Sequence, residues 1–286
     1  MSNETFDLAK MKKVGMIQQK QKEYFALRLR TSGGNFNSDQ IRKVAEIADK
    51  YGDSGIHMTT RQGIEIHNVH HTNLETAKQE LDDAGIYMGA CGPRIRIVTA
   101  CPGDTTCKWG SIETKELAKK LDDKYFGVDT PHKFKISVTG CPHNCAKASE
   151  NDIGIMGGIL PKWNKEKCID CNLCVNICPA KAIYKEDGEY KFNEEKCIYC
   201  SICTSTCPTD AWEIEKQGST VWIGGTLGKF PRLATQLTDI IEDENEVLEV
   251  VEKSVKYYQE NGRKKERFGH HIDSVGIDKV KSAILG

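Results

Sequence analysis

KFKISVTGCPHNCAKASENDIGIMGG, residues Lys133–Gly158, runs from an alternating apolar segment into a Cys-x3-Cys pair, Cys141 and Cys145. A second pair, Cys101 and Cys107, stands upstream in TACPGDTTC at C-x5-C spacing. Four thiolates from two loops meet the need of a cubane iron–sulfur cluster, in which each of four irons takes one protein sulfur. Zinc also accepts four cysteines, and two pairs split by an intervening segment do not by themselves separate the two metals.

The chain has 286 residues and a formal net charge of −1, with no basic tail. That balance offers no field for nucleic acid or an anionic membrane. The N-terminus, MSNETFDLAKMKKVG, lacks an apolar h-region, and no apolar run approaches a membrane span, so a soluble cytoplasmic protein is expected. Thirteen cysteines would suit a disulfide framework in a secreted protein, but there is no signal peptide and they cluster at ligand spacings. Twelve fall into three groups of four, and Cys91, left alone, reads as a small buried side chain.

Hydrophobic periodicity predicts a strand over Glu23–Thr31, with Phe25, Leu27 and Leu29 alternating against Arg28 and Arg30. Ser38 is placed to cap a helix through Ile41, Val44, Ala45 and Ala48, and a second strand follows at Arg61–His67. Asn73 is placed to cap a helix through Leu74, Ala77, Leu81 and Ala84, giving a β-α-β-β-α-like order over residues 20–88. Further strands are expected at Arg94–Thr99 and Lys133–Thr139, each feeding a cysteine loop, with a helix around Leu117, Ala118 and Leu121 between them. Near the end, Leu233, Leu237, Ile240 and Ile241, then Val247, Val251 and Val255, stand at helical spacing and read as core.

Composition changes at Pro161. Two near-identical units follow, CIDCNLCVNICPA and CIYCSICTSTCPTDA, each C-x2-C-x2-C-x3-C-P. This is the two-cluster bacterial ferredoxin signature, in which the fourth cysteine of each run ligates the other cluster. By that rule Cys168, Cys171, Cys174 and Cys207 hold one 4Fe–4S cluster, and Cys197, Cys200, Cys203 and Cys178 the second. A zinc ribbon would not need eight cysteines in two repeats.

Three expected strands carry cations at i, i+2: Arg28 and Arg30, Arg94 and Arg96, Lys133 and Lys135. Period two puts each pair on one face, and like charges side by side cost free energy unless an anion sits opposite. Decoration of an exposed sheet face is the bland alternative for any one pair.

The C-x5-C and TGC-P-x-x-C spacing resembles the sulfite and nitrite reductase family. So do LRLRTSGG (27–34), TTRQGIEIH (59–67), RIRIVTAC (94–101), WIGGTLGKFPR (222–232) and the RFGHHI stretch, in the family's order. The resemblance implies an α+β siroheme reductase fold. A ferredoxin-like half-domain would occupy 1–88, and a siroheme and 4Fe–4S domain 89–160 with 218–286. The two-cluster ferredoxin would be an insert at 161–217, making three 4Fe–4S clusters with siroheme as the further cofactor.

The resemblance also assigns roles. Cys145 would bridge the cluster to the siroheme iron, and Arg28, Arg96, Lys133 and Lys135 match the family's substrate pocket. Arg61 matches an arginine for siroheme carboxylates, with Asn144, Thr226 and Lys229 as weaker siroheme positions; His143, inside CPHNC, stands where the family varies. The implied reaction is the six-electron reduction of sulfite to sulfide, with nitrite to ammonia as the alternative. A pure electron carrier is a different reading, against which the full set of cluster cysteines and basic residues argues; a redox sensor would need an output segment that is not found. Many family members hold two copies of the reductase unit and this chain one, so a homodimer or higher assembly with pockets across subunits is expected. One reductase unit with an inserted ferredoxin resembles the catalytic subunit of anaerobic-type sulfite reductases, which implies a separate electron donor. No Gly-rich dinucleotide fingerprint occurs, so electrons are not expected directly from NAD(P)H.

Overall fold

A computed structural model describes residues 6–286. After helix α1 (Leu8–Lys13), the first unit is an antiparallel four-stranded sheet. Its strands are β1 (Met16–Gln18), β2 (Tyr24–Arg28), β3 (Ile56–Met58) and β4 (Ile64–His70), in the order β1-β2-β4-β3. Helices α2 (Ser38–Tyr51) and α3 (Leu74–Asp83), with Ile86 and Met88 after α3, supply the rest of its core. Phe25, Leu27 and Leu29 are fully buried against Val44, Ile47 and Leu81, each such side chain contributing roughly 1.5–3 kcal/mol.

Three local details differ from the sequence expectation. Asn37, not Ser38, caps α2, and it exchanges hydrogen bonds with Gln40 in a capping box. Ile41 is exposed, because Val44, Ile47 and Ala48 occupy the core-facing stripe. Asn73 makes no side-chain cap, since the 3-10 turn His71–Asn73 already leads the chain into α3.

The second unit begins with β5 (Thr99–Ala100), α4 (Lys115–Tyr125), β6 (Ile136–Thr139) and β7 (Ile153–Trp163). The chain then leaves the sheet for α5 (Leu173–Ile177), the hairpin β8 (Ile183–Glu186) and β9 (Glu189–Phe192), and α6 (Ile202–Thr206). It returns through β10 (Trp212–Ile223) and β11 (Thr235–Gln236) to α7 (Glu244–Asn261), α8 (Phe268–Val275) and α9 (Ile277–Leu285). The sheet order is β11-β10-β7-β6-β5, with β5, β6 and β7 parallel and the others antiparallel.

Two expectations fail here for backbone reasons. The strand from Arg94 is regular only at Thr99–Ala100; Arg94 and Ile95 make isolated bridges to Asp129 and Phe134. The helix through 233–241 does not form. Thr235 and Gln236 pair with β10, and the Leu237 amide donates to the Val221 carbonyl at 2.8 Å. Satisfying the free edge of β10 outweighs the helical spacing of four apolar residues. In α7, Val247, Val251 and Val255 are buried.

β7 and β10 pair from Ile153–Ile223 out to Trp163–Trp212. The segment between them therefore starts and ends at adjacent positions, and the paired strands run past residues 161 and 217. Among the described residues, no helix is long and apolar enough to cross a membrane.

Candidate functional site

Because β5 and β6 are parallel neighbours, the loops that follow them leave the same end of the sheet. Open α/β sheets hold ligands at that end. The loop after β5 carries Cys101 and Cys107; the loop after β6 carries Cys141 and Cys145. The Gly140 amide donates to Cys101 Sγ at 3.0 Å, joining the two loops. Burial pushes the Cys141 thiol up, and the neighbouring Cys101, Cys107 and Cys145 sulfurs add to the push. Four thiols on two joined loops make a donor set that fits an iron–sulfur cluster, in which each iron takes one protein sulfur. His143 lies beside it, with Nδ1 3.4 Å from Cys141 Sγ and its ring against Trp109.

Cys145 is the exposed member of the four. It lines a cleft of about 220 Å³ together with Lys147, Asn151 and Leu227. Thr60, Arg61 and Lys135 line that cleft and also a larger one of about 450 Å³, a size suited to a substantial ligand. Lys12, Arg28, Arg96 and Lys133 complete the charged wall of the larger cleft, with Cys91 beside Arg28.

Each cation is held differently. Arg28 donates through Nε to Glu65 at 2.7 Å and through Nη1 to Cys91 Sγ at 2.8 Å. Arg96 is fixed by the Ala90 and Gly92 carbonyls at 2.6 and 2.9 Å. Arg61 donates to Asn151 at 2.8 Å and to the Ile97 carbonyl at 2.7 Å, while its buried Nε has no partner. Burial, and then the nearby Arg96 and Arg267, bring Arg61 down to about 10 against the pull of Asp152. Burial first, then Arg61 and Arg267, brings Lys135 down to about 8; burial, Arg267 and Arg96 depress Lys133 too.

Confined cations that lower one another's pKa form a site for a multiply charged anion. A buried guanidinium Nε without an acceptor is a donor waiting for one. A tetrapyrrole fringed with carboxylates fits both observations.

The cation pairs split where the backbone is irregular. β2 ends at Arg28, and Arg30 turns to Asp122 at 2.8 Å and stacks 4.2 Å above Phe126. Arg94 pairs with Asp129 at 2.8 Å, outside regular strand, so neither joins the cleft. Asn144 has φ 57° and donates to Ser149 at 2.6 Å, serving the cysteine turn. Thr226 is buried and pairs through its backbone with Arg232; Lys229 is exposed on the intervening loop.

Sequence reasoning gave no role to Asp152 and Arg267. Asp152 is buried beneath Lys135, accepts from its amide at 2.9 Å and pairs with Arg267 at 2.7 Å. Arg267 opens the RFGHHI stretch, which was the available signal; nothing in DIGIMGG marked Asp152.

In the excursion between β7 and β10, Cys178 lines one cavity with Cys197, Cys200 and Cys203. Cys207 lines another with Cys168, Cys171 and Cys174, and Cys203 borders both. Burial, then the neighbouring Cys197, Cys200 and Cys178 sulfurs, pushes Cys203 up to about 12.

Residues 91–286 match the nitrite and sulphite reductase 4Fe-4S domain, and residues 17–84 the nitrite/sulfite reductase ferredoxin-like half domain. The chain belongs to the nitrite and sulphite reductase family. A coenzyme F420-dependent sulfite reductase of Methanocaldococcus jannaschii is 33% identical over 86% of this chain, which spans only 40% of that protein. An uncharacterized protein of the same organism is also 33% identical, covering 95% of this chain and 94% of its own length. The fold matches a crystal structure of dissimilatory sulfite reductase I, with a TM-score of 0.79 at 20% identity, covering 95% of this chain and 73% of that one. Within this reductase family, the cysteine loops after β5 and β6 lie in the 4Fe-4S domain.

Proposed function

We propose that this chain is the catalytic unit of a siroheme-dependent sulfite reductase that carries sulfite to sulfide with six electrons. One observation carries the reading: Arg28, Arg61, Arg96, Lys133 and Lys135 converge on a cleft that adjoins Cys145. Siroheme, when bound, supplies the open iron position at which the sulfur–oxygen bonds are cleaved. Arg61 and Arg96 would hold its carboxylates, and Cys101, Cys107, Cys141 and Cys145 the adjacent 4Fe–4S cluster. Lys133, Lys135 and Arg28 bind the oxyanion and draw charge onto its oxygens as they leave. Each oxygen lost as water needs two protons, and Lys135, brought down to about 8, is poised to give one near neutral pH.

Residues 161–217 are proposed as a two-cluster ferredoxin insert, bringing the total to three 4Fe–4S clusters, fed by a separate electron-donor protein. One chain already brings the basic residues and Cys145 to adjoining clefts. In a homodimer or higher assembly, a second copy would therefore close the open side of the site rather than supply its missing half. Exposed Leu227 on the wall of the smaller cleft, with exposed Phe230 and Leu233 further along the same loop, suits such a contact.

The test is the absorption spectrum of anaerobically purified protein, with pigment extraction, iron and sulfide counts, and turnover on sulfite and nitrite. Siroheme with about three cubanes and preferential sulfite turnover is the expected result. Preferential nitrite turnover would reassign the substrate. Absence of tetrapyrrole from protein made in a siroheme-competent host would leave an electron carrier.

A further inference from the structure

Two glycines on β7 join the inserted segment to the cysteine loops of the sheet. The Ile159 amide donates to the Tyr199 carbonyl at 3.0 Å, and Ile159 bridges Cys200. At Gly158, a Cβ would come within 2.8 Å of Tyr199 Cβ. At Gly157, a Cβ would strike the carbonyl of Gly140, the residue before Cys141. Ser111 fixes that same carbonyl with its amide at 2.8 Å and its hydroxyl at 3.0 Å. Neither Gly157 nor Gly158 has a positive φ, so the backbone does not require glycine there; close approach does.

The cavity of Cys178, Cys197, Cys200 and Cys203 is walled by Ile159 and Pro161 of β7, next to this contact. The cavity of Cys168, Cys171, Cys174 and Cys207 has no wall from residues 153–161. It carries exposed Ile169 and an exposed Cys171.

We infer that Gly157 and Gly158 are positioning residues that hold Cys178, Cys197, Cys200 and Cys203 as the inner cluster site, against the loop of Cys141. Cys168, Cys171, Cys174 and Cys207 form the outer site, where electrons enter from a reduced one-electron carrier protein. The inference rests on the ferredoxin reading of the insert proposed above. Each transfer moves one electron from the inner to the Cys141-side cluster, oxidising the first and reducing the second, with no bond formed or broken and no proton moved.

Paramagnetic resonance of the anaerobic holoprotein reduced with dithionite reads this order directly, since neighbouring reduced clusters broaden each other's signals. Iron and sulfide counts on the wild type come first. Fewer than two cubanes in the insert would sink the functional reading and this order with it. With full counts, Cys200→Ala is expected to abolish the broadening of the Cys141-side signal and Cys171→Ala to retain it. The reverse pattern would overturn the order alone.

A second pair of variants leaves every cysteine in place. Gly158→Ala puts a methyl against Tyr199 and is expected to weaken the magnetic coupling at unchanged iron content. Adding Tyr199→Gly removes the struck Cβ and suits the φ of 58° at that position, so the coupling should return. Coupling unchanged by Gly158→Ala would show that the glycine contact does not set the approach.

Discussion

Arg267 Nη2 and Asp152 Oδ2 meet at 2.7 Å in a buried ion pair beneath the basic cleft, and Asp152 also accepts the Lys135 amide. Burial drives the Asp152 carboxyl up, and Arg267 opposes it. Breaking a buried pair from one side typically costs about 3–5 kcal/mol, because one group is left uncompensated. Arg267→Met should therefore lower stability by about that amount, measured by urea unfolding. A loss under about 1 kcal/mol would mean that the pair is not shielded as described.

Lys135 titration should appear in the pH profile. The lysine donates only while charged, and its charged form is lost as pH rises through a pKa brought down to about 8. kcat/KM is expected to be flat below that value and to fall above it. Carboxylates of bound siroheme favour the charged form, so the limb sits at or above about 8. Asp152→Asn removes a nearby charge that favours the cation and should move the limb to lower pH. A profile in the variant identical to that of the wild type would remove Lys135 from this role.

Replacing Lys135 with Met should lower kcat by about 10²–10⁴-fold, the range of a lost general acid, with the pigment still bound. Turnover within a few-fold of wild type would assign the proton to another group. Absorbance at the tetrapyrrole band reports pigment retention in the same sample.

Arg61 is the anchor expected to decide pigment binding. Arg61→Met should yield protein with its iron–sulfur content intact and its tetrapyrrole absorbance lost. Arg61→Lys should restore little, since a point charge cannot reproduce the forked hydrogen bonds of a guanidinium. Full pigment occupancy in Arg61→Met would place the carboxylates elsewhere.

The crossed cysteine sets are open to a simple comparison. Cys178→Ala should lose the same resonance signal as Cys200→Ala, and Cys207→Ala the same signal as Cys171→Ala. Pairing by sequence proximity instead, Cys178 with Cys171 and Cys207 with Cys200, would contradict the shared cavities.

The outline of the reductase was legible because its signals are local. Cysteine spacing, the alternation at Phe25, Leu27 and Leu29, and the Val247–Val255 stripe all depend on short periods in the chain. What sequence missed depends on backbone demand and long-range pairing. The 233–241 segment has helical spacing but answers the free edge of β10, and Arg30 and Arg94 leave the cleft because regular strand is lost beside them. Asp152 and Arg267 lie 115 positions apart, and no periodicity could join them. Arg28, Arg96, Lys133 and Lys135, expected together from sequence, line one cleft, whereas Asn144 is occupied by its own turn.

The long β7–β10 ladder makes the segment between its two strands a module in the evolutionary sense. Trp163 and Trp212 sit side by side at its root, so the parent sheet sees only two neighbouring chain ends, whatever lies beyond them. A domain with adjacent termini could be gained, lost or exchanged at that point without re-registering a single strand of the host. The same economy has a limit: Gly158 is fitted to one particular guest surface, at Tyr199. An exchanged module would root at the same two strands yet lack that close contact until its own surface came to match Gly158.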